Sequence, residues 1–254
     1  KSETEIVLMR HGETETNAAN GANGWSTDTG LTQKWREQAI VRGQGLKQYG
    51  KEFDVMIVTP VKRTHETAKI IANEIGFHGT IEEMSELVEQ HMGDAEWRNV
   101  EELKAEWMQQ HGDDIGWTRI YRENSQESFD QFTARVEVGF RKIQEKYRGK
   151  KVLIVAHAGT ARAINRIQFW QDKDTAMWKS KTLENCGVMP LINAPLVNPL
   201  DRWILSKLQV LMGQVHDAMD GYDVSRACRA IVEYMDELTN WYVRLSRRRF
   251  WESG

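Results

Sequence analysis

Three short stretches of this chain carry side chains suited to moving a phosphoryl group. They are Arg10-His11-Gly12-Glu13-Thr14, then Thr59-Pro60 followed by Arg63, then Ala156-His157-Ala158-Gly159. A neutral imidazole can attack phosphorus and form a phosphohistidine, which water then hydrolyses. The guanidinium groups of Arg10 and Arg63 can grip phosphate oxygens bidentately and offset the charge spread over the transferring group. A protonated His157 adds another positive donor, and its pKa should rise beside a bound dianion. A carboxylic acid is still required to protonate the departing oxygen. A single histidine in such a position is usually structural; the pairing of two histidines with two arginines points to chemistry.

Each stretch follows an apolar run that reads as a strand. Residues 5–9, 54–58 and 151–156 are short, β-branched and almost free of polar side chains, as expected of strands covered on both faces of a parallel sheet. Ligands of such sheets bind at the carboxyl ends of the strands, which is where His11, Thr59 and His157 fall. A weaker run, Cys186–Ile192, predicts an edge strand. Helices are expected at about 31–49, 62–76, 126–148 and 159–169, the third with Phe129, Phe132, Val136, Phe140 and Ile143 on one face. Alternating strands and helices predict an α/β fold, a three-layer α/β/α arrangement around a mostly parallel sheet.

Composition narrows the setting. The chain has 254 residues, 40% hydrophobic and 28% charged, with a net charge of −3. That balance argues against nucleic-acid binding by the whole surface, though not against a local basic patch. Cys186 and Cys228 form neither a disulfide framework nor a metal-ligand spacing, and no carboxylate cluster has metal spacing. No apolar run reaches membrane-spanning length, and Lys1–Glu5 shows no signal-peptide pattern, so a cytoplasmic, metal-free protein is expected.

The three motifs in this order, with Asn17 after the first, resemble the histidine phosphatase superfamily in its phosphoglycerate mutase-like branch, over roughly residues 4–192. The resemblance implies His11 as the phosphorylated nucleophile, with Arg10, Asn17, Arg63, His157 and the backbone of Ala158 holding phosphate. It places the acid in a Leu-x-Glu segment followed four residues later by Gly; here Leu87-Val88-Glu89 and Gly93 nominate Glu89, with Glu86 as rival. Three positions depart from the family pattern: Ala158, Trp35 and Gln126 stand where glycine is common. None of them removes a group that does chemistry. The mutases of this branch carry basic residues beyond the acid segment to hold a bisphosphate intermediate. Here Asp94–Val100 contains Arg98 but lacks the usual lysine after Asn99, which favours a phosphatase acting on a small phosphorylated substrate. Bisphosphoglycerate would be a cofactor only of the mutase alternative.

The character of the chain changes near residue 190. Pro190, Pro195 and Pro199 interrupt regular structure, and two amphipathic helices follow, separated near Gly221–Asp223. Asn198–Leu208 and Leu238–Trp251 resemble the start of the anticodon-binding helical domain of isoleucyl-tRNA synthetase. Domains are therefore expected at 1–192 and 193–254, the second a helical hairpin from a larger synthetase-like protein, in which tRNA is a partner. Arg244, Arg247, Arg248 and Arg249 form a basic cluster suited to RNA phosphates, while cations also suit a helix C-terminus in their own right. A degenerate phosphatase fold serving as an RNA-binding module is the alternative to an enzyme.

Overall fold

The computed structural model describes residues 4–26, 28–48, 50, 52–111, 127–169, 183–191 and 198–251. Apolar runs without a polar face need cover on both sides, and the three strong runs become the inner strands of a single sheet. They are β1 (Glu5–Arg10), β2 (Val55–Val58) and β4 (Lys151–Ala156), joined by β3 (Thr80–Glu83) and β5 (Val188–Leu191). The strand order is β3-β2-β4-β1-β5. β4 pairs in parallel with β1, from Glu5↔Lys151 to Arg10↔Ala156, and with β2, from Val55↔Val152 to Val58↔Val155. The three strands that precede the chemical motifs are therefore adjacent, and their carboxyl ends share one edge.

The two outer strands close the sheet. β5 runs antiparallel to β1, pairing Ile6 with Leu191 and Met9 with Val188, in the segment expected as an edge strand. β3, which the sequence pattern did not signal, lies parallel to β2 at the other edge. Its residues Thr80, Ile81, Glu82 and Glu83 are mostly exposed, and charged edge strands of this kind discourage further pairing.

The helices of this part of the chain are α1 (Glu15–Ala18), α2 (Gln33–Gln48), α3 (Lys62–Ile75), α4 (Val100–His111), α5 (Phe129–Lys146) and α6 (Ala158–Phe169). α5 opens with a reciprocal capping box between Ser128 and Gln131 and buries Phe129, Phe132, Val136, Phe140 and Ile143. These are the residues that its spacing placed on one face. α3 starts where Asp28 accepts the Lys62 N–H and stops at Gly76, whose φ of 67° lies in the left-handed region. α4 was not anticipated, because its short sequence has a weak apolar stripe.

The chain divides into two compact units, residues 1–164 with 182–193 and residues 165–181 with 194–254. In the second, α7 (Pro199–Asp220) is capped by Asn198 with Pro199 in its first turn, and α8 (Val224–Asp236) is capped by Asp223. Glu237–Val243 continue with wider π winding into α9 (Arg244–Trp251). Asp201 on α7 accepts a two-pronged pair from Arg249 (3.0 and 2.5 Å) and the Tyr242 hydroxyl (2.9 Å), which ties the ends of the hairpin together. Among the described residues no helix is long and apolar enough to cross a membrane.

Phe132 is wholly buried on α5. Its replacement by Ala should lower unfolding stability by about 3–5 kcal/mol, read as a lower urea midpoint with unchanged slope. A shift below about 1 kcal/mol would mean that α5 does not carry the core of the first unit.

Candidate active site

Backbone pairing at the sheet edge fixes the first motif. The His11 N–H donates to the Ala156 carbonyl at 2.9 Å, and the Gly12 N–H donates to Thr67 Oγ1 at 3.0 Å. One bond ties the histidine ending β1 to the strand that carries the second histidine; the other ties it to α3. The two imidazoles meet edge to face with ring centroids 5.3 Å apart, and both are buried.

Their partners determine where the protons sit. His11 Nδ1 lies 2.7 Å from the Gly12 carbonyl oxygen, which can only accept, so Nδ1 carries the hydrogen and Nε2 the lone pair. Burial, then Arg63 and Arg10, hold the His11 pKa well below its usual 6.5. The ring is thus a neutral base with one free nitrogen, the form a nucleophile requires. His157 is also pushed well below 6.5, by burial first and then by Arg63, His11 and Arg10. In the ligand-free site it is neutral, and a bound dianion would have to raise its pKa before it could act as a cation.

The two guanidinium groups sit deep. Arg63 is wholly buried, donating Nη2–H to the Gly24 carbonyl at 3.0 Å and facing His157 Nδ1 at 3.3–3.4 Å. Burial lowers its pKa to about 10, against the opposing pull of Glu89, Asp28 and Glu96. Arg10 donates Nη1–H to the Leu183 carbonyl at 2.9 Å, while its Nε is buried with no partner among the described residues. A buried charged donor left unmatched is costly, and an anion in the site would satisfy it.

Glu89 faces these cations. It is buried, its Oε1 accepting the Gln90 N–H and its Oε2 the Gly159 N–H, both at 2.9 Å. Gly159 lies in the first turn of α6, where a carboxylate is favoured by the helix dipole. A Cβ there would lie 2.0 Å from Glu89 Oε1, so only glycine admits the carboxylate. Arg135 on α5 clamps the same segment, donating to the Glu86 and Val88 carbonyls at 2.9 and 3.1 Å and pairing with Glu127. The rival Glu86 points elsewhere, its carboxylate paired with Lys142.

The other nominated residues fall in several places. Asn17 sits in the capping box of α1, its Oδ1 accepting from Thr14 and Asn23, with no contact to either histidine among the described bonds. Ala158 begins α6, where the first N–H has no partner within the helix. Trp35 lies half-buried on α2, and Gln126 falls outside the described residues. Arg98 is drawn off by Glu106 on α4. In the second unit Arg249 is engaged by Asp201, whereas Arg244, Arg247 and Arg248 are exposed.

Glu96 escaped the sequence reading. It is buried, accepting the Ser26 N–H at 2.9 Å, the Ser26 hydroxyl, and the Met92 N–H at 3.2 Å. These bonds tie the loop that supplies Gly24 to Arg63 onto the segment that carries Glu89. A loop glutamate in an acidic stretch has no sequence signal for such a role.

The depressed histidines have a consequence for stability. Unfolded imidazoles take up protons below about pH 6.5, and folded His11 and His157 refuse them until a much lower pH. The unfolded state therefore binds more protons, and stability falls as pH drops below 6.5. Each histidine should contribute about 1.4 kcal/mol per pH unit in that range. Urea unfolding at pH 7.5 and 5.5 should show the loss, and His157→Gln should reduce it; equal slopes in parent and variant would refute the assignment.

Two family profiles match this chain. The profile of the histidine phosphatase superfamily (branch 1) matches residues 6–194, and that of the anticodon-binding domain of tRNA ligase matches residues 201–254. The chain is 34% identical over 164 residues to the uncharacterized phosphatase PhoE of Bacillus subtilis, covering 63% of this chain and 75% of that one. A solved phosphoglycerate mutase from Bacillus anthracis superposes with a TM-score of 0.64 at 22% identity, over 74% of this chain and 88% of that one. The tail is 57% identical over 58 residues to isoleucine–tRNA ligase of Treponema pallidum, covering 23% of this chain. The chain spans about 5% of the length of that ligase. By the family match over most of its length and the fold it shares, the chain belongs to the histidine phosphatase superfamily, branch 1.

Proposed function

We propose that the chain hydrolyses phosphomonoesters through a phosphohistidine on His11. The observation that carries this reading is the fixed tautomer of His11: Nδ1 donates to the Gly12 carbonyl and Nε2 keeps its lone pair. In the first step Nε2 attacks phosphorus, the bond to the leaving oxygen breaks, and Glu89, which takes up a proton from solvent as the dianion enters, passes it to that oxygen. Arg10, Arg63 and the Ala158 N–H hold the phosphoryl oxygens, with Asn17 as a further donor and His157 as a cation once the dianion is bound. In the second step Glu89, again a carboxylate, takes a proton from water as its oxygen attacks phosphorus; the bond to His11 Nε2 breaks and inorganic phosphate leaves. Arginine and histidine provide the positive charge, so turnover should withstand EDTA; loss of turnover in a clean preparation would refute this account.

Phosphatase is favoured over mutase by the state of Arg98. A mutase must keep its phosphoryl group from water and hold a second phosphate, and the one basic residue of the Asp94–Val100 stretch is paired with Glu106 at the surface. Incubation with 2,3-bisphosphoglycerate and 3-phosphoglycerate should therefore yield little 2-phosphoglycerate; efficient, bisphosphate-dependent interconversion would establish the mutase reading. The tail is read as part of a larger ligase-like protein in which Arg244, Arg247 and Arg248 face tRNA, in a cytoplasmic setting. Its likeness to the anticodon-binding domain supports this.

Quenching in alkali during turnover, followed by mass spectrometry, should place added phosphate on the peptide containing His11. His11→Ala should abolish label and turnover together. Glu89→Gln should slow alkyl phosphates by about 10²–10⁴ while affecting p-nitrophenyl phosphate far less, because a phenolate needs little protonation. Undiminished turnover in His11→Ala would sink the mechanism.

A further inference from the structure

A hydroxyl that the proposed reaction does not use lies against the far side of the second histidine. Thr59 Oγ1 is 2.9 Å from His157 Nε2 and 3.0 Å from Thr64 Oγ1, and all three residues are wholly buried. Thr64 Oγ1 in turn lies 2.8 Å from the Thr59 carbonyl and 2.9 Å from the Val61 carbonyl.

Donor and acceptor roles along this chain can be assigned from both ends. Carbonyls only accept, so the Thr64 hydroxyl spends its proton on them and must accept from Thr59. Thr59 then has a lone pair, and no proton, to offer His157. At the other end, Arg63 Nε and Nη2 face His157 Nδ1 at 3.4 and 3.3 Å, and a guanidinium only donates. Nδ1 must present its lone pair, and Nε2 must carry the hydrogen. The two arguments are independent and agree.

From this juxtaposition we infer that Thr59 is a positioning residue, which holds His157 in the Nε2–H form so that its Nδ1 stays turned to Arg63 and the phosphate site. This rests on the proposed reaction and deepens it. When the ester arrives as its monoanion, its proton passes to Nδ1 and leaves the bound dianion. The imidazolium then donates at both nitrogens, to phosphate from Nδ1 and to Thr59 from Nε2. Arg63, no longer able to donate to Nδ1, turns those N–H groups to the phosphate. The titratable and charged groups around His157 are Arg10 and the neutral His11 at the end of β1, Arg63 on α3 and Arg135 on α5, with Glu89 bonded two residues along at Gly159. The cations oppose protonation, so the transfer depends on the arriving anion and on a ready acceptor for Nε2–H.

The test reads His157 directly in the full chain. Nitrogen-15 correlation spectra of the histidine side chains at pH 7 should show His157 as the neutral Nε2–H tautomer without phosphate, and as a cation on adding inorganic phosphate. Thr59→Val leaves Arg63 at Nδ1 but removes the acceptor for Nε2–H, so it should reduce the phosphate-bound cation and weaken phosphate binding by calorimetry about tenfold, as expected for a buried donor left without its acceptor. Thr59→Ser keeps the hydroxyl and should restore both. An Nδ1–H tautomer, or a cation, in the phosphate-free parent would overturn the inference even if Thr59→Val failed to fold. So would Thr59→Val with the phosphate-bound cation undiminished and binding within twofold of the parent. Failure to label His11 would count against the proposed hydrolysis, yet leave the tautomer and phosphate readings to judge Thr59.

Discussion

A guanidinium withdrawn from water must be surrounded by acceptors, and Arg63 is wholly buried. Its surroundings account for much of the first unit. The Gly24 carbonyl has to reach it, so the loop after α1 folds inward; Glu96 holds that loop through Ser26. His157 has to present a lone pair, which requires the hydroxyl chain of Thr59 and Thr64. Glu89, Asp28 and Glu96 supply the opposing charge that keeps Arg63 ionised despite its burial. The arrangement leaves a cationic centre bounded mostly by neutral acceptors, a state that an entering phosphate would stabilise. Structural economy alone would favour an apolar side chain at this position, so the buried charge is best understood as held in readiness for an anion.

The same constraint makes the histidines different in kind although both are neutral. His11 is oriented by a carbonyl, which fixes a donor at Nδ1 and frees Nε2. His157 is oriented by a cation, which fixes an acceptor at Nδ1 and leaves a donor at Nε2. On the proposed mechanism, opposite tautomers in rings 5.3 Å apart would let one act as a nucleophile and the other as a proton acceptor for the substrate. The electrostatic field of the two arginines depresses both pKa values, but only the hydrogen-bond partners separate their roles.

How much of this was legible in the sequence follows from how each group signals itself. His11, His157, Arg10 and Arg63 were readable because each follows, or nearly follows, a run of apolar residues that can only be an inner strand. Strand order then brings them to one edge without further instruction. Glu89 was chosen over Glu86 by resemblance; in the structure Gly159 leaves room for the Glu89 carboxylate, and Lys142 pairs with Glu86. Glu96 and Thr59 were invisible as functional groups. A loop carboxylate and a hydroxyl before proline are commonplace, and their meaning arises from partners 70 and 98 residues away. β3 was missed because an edge strand can be acidic and still pair. The basic cluster of the tail was legible only as a cluster, since Asp201 captures Arg249 from 48 residues away.

The remaining question of reaction class turns on water. Hydrolysis and mutase chemistry share the phosphohistidine and differ in what reaches it second. A mutase must present a phosphorylated acceptor faster than water arrives, which requires cations beyond those that hold the first phosphate. In the described part of the site, Arg10 and Arg63 serve the phosphate centre, Arg135 is committed to Glu127, and Arg98 to Glu106. On the proposed reading these paired cations are not available to an acceptor bearing a second phosphate, which then competes poorly with solvent. Water would need only a base beside the phosphorus, the role proposed for Glu89, whose carboxylate is bonded at the first turn of α6. It is this pairing of cations among the described residues, more than the fold, that supports the proposal of hydrolysis over transfer.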